Sequence, residues 1–245
     1  MTVHLETLTE RGAPALAVVF PHAGGSPRFF ASWSSSLSGS FDLAGMTYPG
    51  RDALLDVPPA TGIRSLAVDC AAELEPSVRA RPVVLFGHSM GAYVAFETAR
   101  LLEGAGLPVA GLVAGGADAP SRETDERWHL ASDIELADHI GALDPKSRAV
   151  LAQPALARIF LPTIRADYRL VETYRADPGS TVSCSTVVVC GDSDPEVTPD
   201  GIARWTAHAP GDCRFRFASG GHFDLVAEPF EVYRCLDEGL GTRGG

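Results

Sequence analysis

Ser89 lies in Gly87-His88-Ser89-Met90-Gly91, where an apolar run ends and a helical pattern starts, and a hydroxyl so placed can attack a carbonyl carbon. The run Pro82-Val83-Val84-Leu85-Phe86 reads as a buried strand. From Ala92 to Leu102, Tyr93, Phe96, Ala99 and Leu102 recur at helical spacing, with Glu97, Arg100 and Glu103 on the outward face. Small residues at Gly87 and Gly91 permit a tight turn that lifts Ser89 clear of a sheet. The following helix points its positive end at the reacting centre. The five-residue pattern alone is weak, and its context makes it strong.

A serine hydroxyl is a poor nucleophile until a base takes its proton, and that base needs an acid to orient it. Of the seven histidines, His222 follows the strand-like run 214–218 and the pair Gly220-Gly221, as a base at a strand's carboxyl end should. His88 adjoins the nucleophile, but neighbours on such a turn point apart, so it is expected to shape the turn. His4, His129, His139 and His208 read as surface or packing residues. The acid is expected after the run 186–190, in Gly191-Asp192-Ser193-Asp194-Pro195. Asp194 is preferred, with Asp192 closer to the strand end and suited to bonding its own loop. The order Ser89, Asp194, His222 is that of α/β-hydrolases. An oxyanion hole needs two backbone N–H groups. Met90, after the nucleophile, supplies one, and Pro21-His22-Ala23-Gly24-Gly25 supplies the other through Ala23, with Gly24 in reserve.

Positioning these groups requires strands at 3–8, 15–20, 42–47, 83–86, 109–114, 186–190 and 214–218. Helical patterns at 28–37, 66–74, 91–102, 199–208 and 230–240 separate most of them. The alternation predicts an α/β fold: a mainly parallel central sheet with helices on both faces. From 118 to 179 strand signals vanish. Ser132 with Glu135 forms a capping box, Pro145 and Pro162 stand at expected first helical positions, and Ile164, Tyr168, Val171 and Tyr174 form an apolar stripe. The expected organisation is a core of 1–117 and 180–245 with a helical lid at 118–179, emerging where open α/β sheets bind ligands. An added packing layer is the alternative. The last five residues, 241–245, read as a loose tail.

Composition narrows the classes of function. The chain has 245 residues, 45% of them apolar, ample for one core. Its 20 basic and 31 acidic residues leave a net charge of −11 and no basic cluster, which argues against nucleic acid. Lys146 is the sole lysine. Cys70, Cys184, Cys190, Cys213 and Cys235 lack CxxC spacing and read as small buried apolar residues, with no metal site expected. The odd thiol count and lack of a signal peptide point to the cytoplasm, and no run reaches the ~20 apolar residues of a membrane span.

Phe20-Pro21-His22-Ala23-Gly24-Gly25, Tyr48-Pro49-Gly50-Arg51 and Gly87-His88-Ser89-Met90-Gly91 together resemble the type II thioesterases that accompany modular polyketide and nonribosomal peptide synthases. So do Leu161-Pro162-Thr163-Ile164-Arg165-Ala166-Asp167-Tyr168, Glu172-Thr173-Tyr174, Gly191-Asp192-Ser193-Asp194-Pro195 and Gly220-Gly221-His222-Phe223. The elbow is common to many hydrolases, whereas the PGR and lid RAD segments are more specific. Around 142–146 the lid departs from the Gly-Thr-Pro turn of many members.

The resemblance implies an α/β-hydrolase fold and an editing activity that clears acyl groups from the phosphopantetheine arms of acyl or peptidyl carrier proteins. It matches Ser89, Asp194 and His222 to the triad, and Ala23 and Met90 to the oxyanion donors. No cofactor is expected beyond the carrier's own arm, and the chain is expected to be a monomer without nucleic-acid or membrane partners. Arg28, Arg51, Arg165 and Arg169 are candidates for contact with an acidic carrier, or else surface and loop residues. A chain-releasing thioesterase, an acyltransferase, a small-molecule serine esterase, or a binding module that keeps only the fold are the alternatives.

Overall fold

A computed structural model describes residues 2–37 and 39–241, so most of the tail expected at 241–245 lies outside the described residues. The strands are β1 (His4–Thr7), β2 (Ala15–Phe20), β3 (Phe41–Thr47), β4 (Val83–His88), β5 (Gly111–Gly115), β6 (Ser185–Gly191) and β7 (Cys213–Ala218). They form one sheet in the order β1-β3-β2-β4-β5-β6-β7, in which only the β1–β3 pair is antiparallel.

Burial on both sides explains why the central strands read as nearly unbroken apolar runs. Side chains alternate across the pleat. Leu16, Val18 and Phe20 of β2 pack with Val83 and Leu85 of β4 in one core, against helices α1 (Ile63–Ala80) and α2 (Met90–Gly104). Ala17 and Val19 join Val84 and Phe86 in the opposite core, with Trp33 of the 3-10 helix Pro27–Ser35. That core is completed by Leu225 and by Val232 and Leu236 near the end of the chain.

Between β5 and β6 run a 3-10 turn, Trp128–Leu130, and helices α3 (Asp133–Leu143), α4 (Pro145–Leu151) and α5 (Pro154–Thr173). These helices have their own small core of Leu136, Ile140, Leu151 and Leu161. The Ser132–Glu135 capping box forms in both directions, and Pro145 opens α4. Past β6 come α6 (Pro199–Ala203), then α7 (Asp224–Ala227) and α8 (Phe230–Gly239).

Several local readings are corrected. Pro162 lies inside α5, which starts at Pro154, where proline equally suits the first turn. The pattern at 66–74 extends to 63–80 despite Pro76, and in place of a helix at 28–37 stands the 3-10 helix Pro27–Ser35. The segment 199–208 breaks into α6 and a 3-10 turn, Arg204–Ala207. Glu97 does not face outward. It is 3% exposed, receives hydrogen bonds from the Tyr174 hydroxyl (2.8 Å) and Arg100, and lies 3.5 Å from Arg64 Nε. A buried carboxylate persists because each of its oxygens has a donor.

Candidate active site

The turn from β4 into α2 holds Ser89 at φ 55°, ψ −119°, a conformation that glycine adopts and other residues rarely do. Its N–H donates to Gly115 O at 2.8 Å, which fixes the turn to β5. The flanking glycines are sterically required. A Cβ on Gly87 would lie 2.1 Å from Gly91 O, and one on Gly91 would lie 1.9 Å from Phe20 O. Both obstacles are backbone, so neither can swing away. Ser89 lines a cavity shared with His222, Ala23 and His22.

His222 enters from the loop after β7, which turns at Gly220 with φ 110°. Its Nδ1 donates to Asp194, at 2.9 Å from Oδ2 and 3.1 Å from Oδ1, and both side chains are buried. Asp194 Oδ1 also accepts the Glu196 N–H at 2.9 Å. A carboxylate at Nδ1 fixes the tautomer that leaves Nε2 free to act as a base. Asp192 is exposed and does other work: its Oδ1 accepts the Gly220 N–H at 3.0 Å and the Ser193 hydroxyl. Of the two candidates, Asp194 is the one on the imidazole.

Hydrogen bonding distinguishes the two oxyanion-hole candidates, Ala23 and Gly24. Gly24, at φ 72°, donates its N–H to Asp167 Oδ2 at 2.8 Å and is not available to an oxyanion. Among the described residues, no acceptor takes the Ala23 N–H. Met90, first residue of α2, has no carbonyl one turn earlier in its helix. Ala23 and Ser89 face the same cavity.

His88 does not simply point away from the chemistry. It is fully buried, with its ring centroid 4.7 Å from that of His222 and 5.8 Å from that of His22. Burial, then the neighbouring His222, pushes its pKa far below the usual imidazole range. Burial lowers His22 to about 3. Both therefore stay neutral at physiological pH.

Across the cavity, α3 and α5 present Ile140, Leu143, Ile164, Tyr168 and Val171, while Arg122, Glu126, Glu172 and Glu196 add charge. Burial raises the pKa of Glu196, partly opposed by His222. Glu172 also braces this wall, accepting the Trp128 N–H at 2.7 Å, the His129 N–H at 3.2 Å and the His129 ring. His208 is a buried packing residue, its ring nitrogens 2.7 Å from Ser180 O and Ser121 Oγ. Two of the four arginines considered for partner contact are committed internally. Arg51 is 8% exposed and pairs with Asp167, and Arg165 binds the carbonyls of His129 and Ala131 and the carboxylate of Asp133.

The described cysteines form no disulfide, and burial pushes the Cys190 thiol up to about 12, which leaves it inert as a nucleophile. Among the described residues, no cluster of three or more His, Cys, Asp or Glu could hold a metal, and no helix is long and apolar enough to cross a membrane.

The parallel sheet, the serine on a strained strand-to-helix turn and the Asp–His pair at successive strand ends define an α/β-hydrolase. A thioesterase-domain family model matches residues 17–238. The chain is 36% identical over 93% of its length to thioesterase PikA5 of Streptomyces venezuelae, spanning 82% of that protein. It is 36% identical over 85% of its length to a Streptomyces griseus protein named "Probable cadicidin biosynthesis thioesterase", of which it spans 58%. Among solved structures it superposes on BorB, the type II thioesterase of the borrelidin biosynthetic cluster, with a TM-score of 0.82, 36% identity and 96% and 97% of the two chains covered. The chain belongs to the thioesterase family.

Proposed function

We propose that this chain is a type II, editing thioesterase that hydrolyses acyl groups from the phosphopantetheine arms of carrier proteins in a polyketide or nonribosomal peptide pathway. The observation that carries this reading is the buried Asp194–His222 pair, 2.9 Å apart, opening onto the same cavity as Ser89. The likeness to BorB, a type II thioesterase of a biosynthetic cluster with 97% of its chain covered, supports it.

In the proposed reaction Ser89 Oγ attacks the thioester carbonyl while His222 Nε2 takes its proton. Asp194 orients the imidazole and stabilises its charged form. The oxyanion rests on the N–H groups of Ala23 and Met90. The tetrahedral species collapses, the C–S bond breaks, and His222 returns the proton to the departing sulfur. A thiol of pKa ~8.5 leaves with less help than an amine needs. Water, deprotonated by His222, then attacks the acyl-serine, releasing a carboxylic acid and regenerating Ser89. Residues 118–179 act as a lid, a role supported by their separate apolar core and their wall of the cavity. The exposed Arg169 and Arg28, whose side chain is 70% exposed though it lies 3.7 Å from Asp52 and 4.0 Å from Glu6, are the remaining candidates for contact with an acidic carrier.

The test is turnover of acetyl- or propionyl-carrier protein beside simple oxygen esters. Ser89→Ala should lower the carrier-substrate rate by at least ~10³-fold. Undiminished activity in that variant, or a strong preference for oxygen esters, would overturn the proposal.

A further inference from the structure

The loop that carries Ala23 is held from the far side of the cavity. Asp167, on α5 and 3% exposed, accepts the Gly24 N–H at 2.8 Å through Oδ2. The same carboxylate meets Arg51 Nη2 at 2.8 Å through Oδ2 and at 2.9 Å through Oδ1. Arg51 in turn donates from Nη1 to Gly25 O at 2.8 Å and braces its own loop through Pro49 O. Gly25 N–H closes the turn on His22 O at 2.9 Å. A second link from α5, Thr163 Oγ1 to Gly50 O at 3.1 Å, holds the Arg51 loop beside it.

Contact between α5 and this loop is close enough to require glycine. A Cβ on Gly24 would lie 2.4 Å from Ile164 Cγ1. Burial raises the pKa of Asp167 and Arg51 opposes that rise, so the carboxylate depends on its partners for solvation. Each of two peptide units after Ala23 is therefore held at one polar group, the Ala23–Gly24 unit at its N–H by Asp167 and the Gly25–Ser26 unit at its carbonyl by Arg51. The Ala23 N–H shares its peptide plane with His22 O, which the Gly25 N–H holds at 2.9 Å, so its direction is set by the same turn. None of this serves as a general acid, base or nucleophile, and Asp167 does not reach the reacting atoms.

We propose that Asp167 is a positioning residue, clamped by Arg51, that aims the Ala23 N–H at the developing oxyanion and so makes a complete oxyanion hole conditional on α5 being seated on the core. This rests on the thioesterase reading of Ser89. With α5 lifted, the Gly24 N–H and the Arg51 guanidinium lose their shared acceptor and the loop is free to rotate. The rate of acyl transfer to Ser89 thereby follows the seating of the lid helix.

The experiment uses the full chain and an acetyl thioester of N-acetylcysteamine, with a trifluoromethyl ketone thioether as a probe that forms a tetrahedral adduct on the serine. In Asp167→Asn, which keeps the shape but sets an amide N–H₂ against one of the two donors, kcat should fall by about 10–100-fold, less than the roughly 10²–10³-fold of an oxyanion donor lost outright, because the Ala23 N–H is misaimed and not removed. KM should stay within about threefold, because ground-state binding uses other contacts, and the ketone's inhibition constant should weaken in parallel with kcat. Arg51→Lys, which cannot bridge Asp167 and Gly25 together, is the second variant and should show the same split at about 3–10-fold. Unchanged kcat, a rise in KM alone, or a fall in kcat with undiminished ketone affinity would overturn the positioning role. Ser89→Ala, run alongside, keeps the two readings apart. Activity that survives in it overturns the thioesterase assignment, whereas Ser89-dependent activity indifferent to Asp167 and Arg51 overturns only this inference.

Discussion

Replacing Ser89 by glycine should abolish hydrolysis and yet stabilise the fold relative to Ser89→Ala. At φ 55°, ψ −119°, the residue occupies backbone space where a Cβ is crowded. Such a conformation stores about 1–3 kcal/mol in a non-glycine residue. Alanine at 89 keeps that strain, because its Cβ is where serine's was, and it also removes the hydroxyl. Glycine removes both the hydroxyl and the strain, but loses about 0.5–1 kcal/mol through the extra freedom of the unfolded chain.

The difference between the two variants isolates the backbone term, since neither retains the Oγ. Taken near the middle of the two ranges, subtraction leaves glycine ahead by about 1–2 kcal/mol. For a domain of this size each kcal/mol moves Tm by about 2–4 °C, so Ser89→Gly should melt roughly 2–8 °C above Ser89→Ala. Urea denaturation should shift the midpoint in the same direction at constant slope. A glycine variant that melts at or below the alanine variant would refute the claim that the elbow is held under strain for the sake of the nucleophile.

Two further outcomes follow from the same site. His22 and His88 are kept neutral by burial, so below pH 6.5 the unfolded chain takes up protons that the folded chain refuses. Stability present above pH 6.5 is then lost as pH falls, continuing to about pH 3 for His22. A histidine held neutral contributes about 1.4 kcal/mol per unit, hence about 2 kcal/mol from His22 between pH 6.5 and 5, and His88 adds to the loss in the same direction. Urea unfolding across that range should show this loss, and His22→Gln should remove about 2 kcal/mol of it; an unaltered slope in the variant counts against the assignment. Asp194→Asn should lower kcat by about 10⁴-fold through loss of the working tautomer. Asp192→Asn, whose amide oxygen still accepts the Gly220 N–H, should stay within about threefold, and equal losses in the two variants would contradict the geometry.

The strands were legible because a sheet covered on both faces demands uninterrupted apolar runs, and β4 followed by Gly-x-Ser-x-Gly states its own turn. The α3 start was equally open, since a capping box is a local device written in two residues, Ser132 and Glu135. Proline misled where it has two roles. Pro154 and Pro162 both satisfy the rule for a first turn, and only packing decides that the helix starts at the former. Glu97 misled because helical periodicity reports charge as outward. Its burial depends on Tyr174, which is 77 positions away. Arg51 and Asp167 were visible as segments but not as a pair, for they are 116 positions apart and only the fold brings the guanidinium to the carboxylate. Local rules find what is fixed by neighbours in sequence, and long-range polar pairing lies beyond their reach.

The ring of His88 shows why such unreadable neighbours matter to the chemistry. On the proposed mechanism His222 becomes an imidazolium at each acyl transfer, with the ring of His88 centred 4.7 Å away. Were His88 also charged, the repulsion at that separation would be about 3–4 kcal/mol at an effective dielectric constant of 20. That is enough to stall proton uptake from Ser89. Burial prevents it by holding His88 neutral, and His22 beyond it likewise. The acid at 194 then has one cation to stabilise, and the proton taken from the serine stays on the ring that must return it to the leaving sulfur.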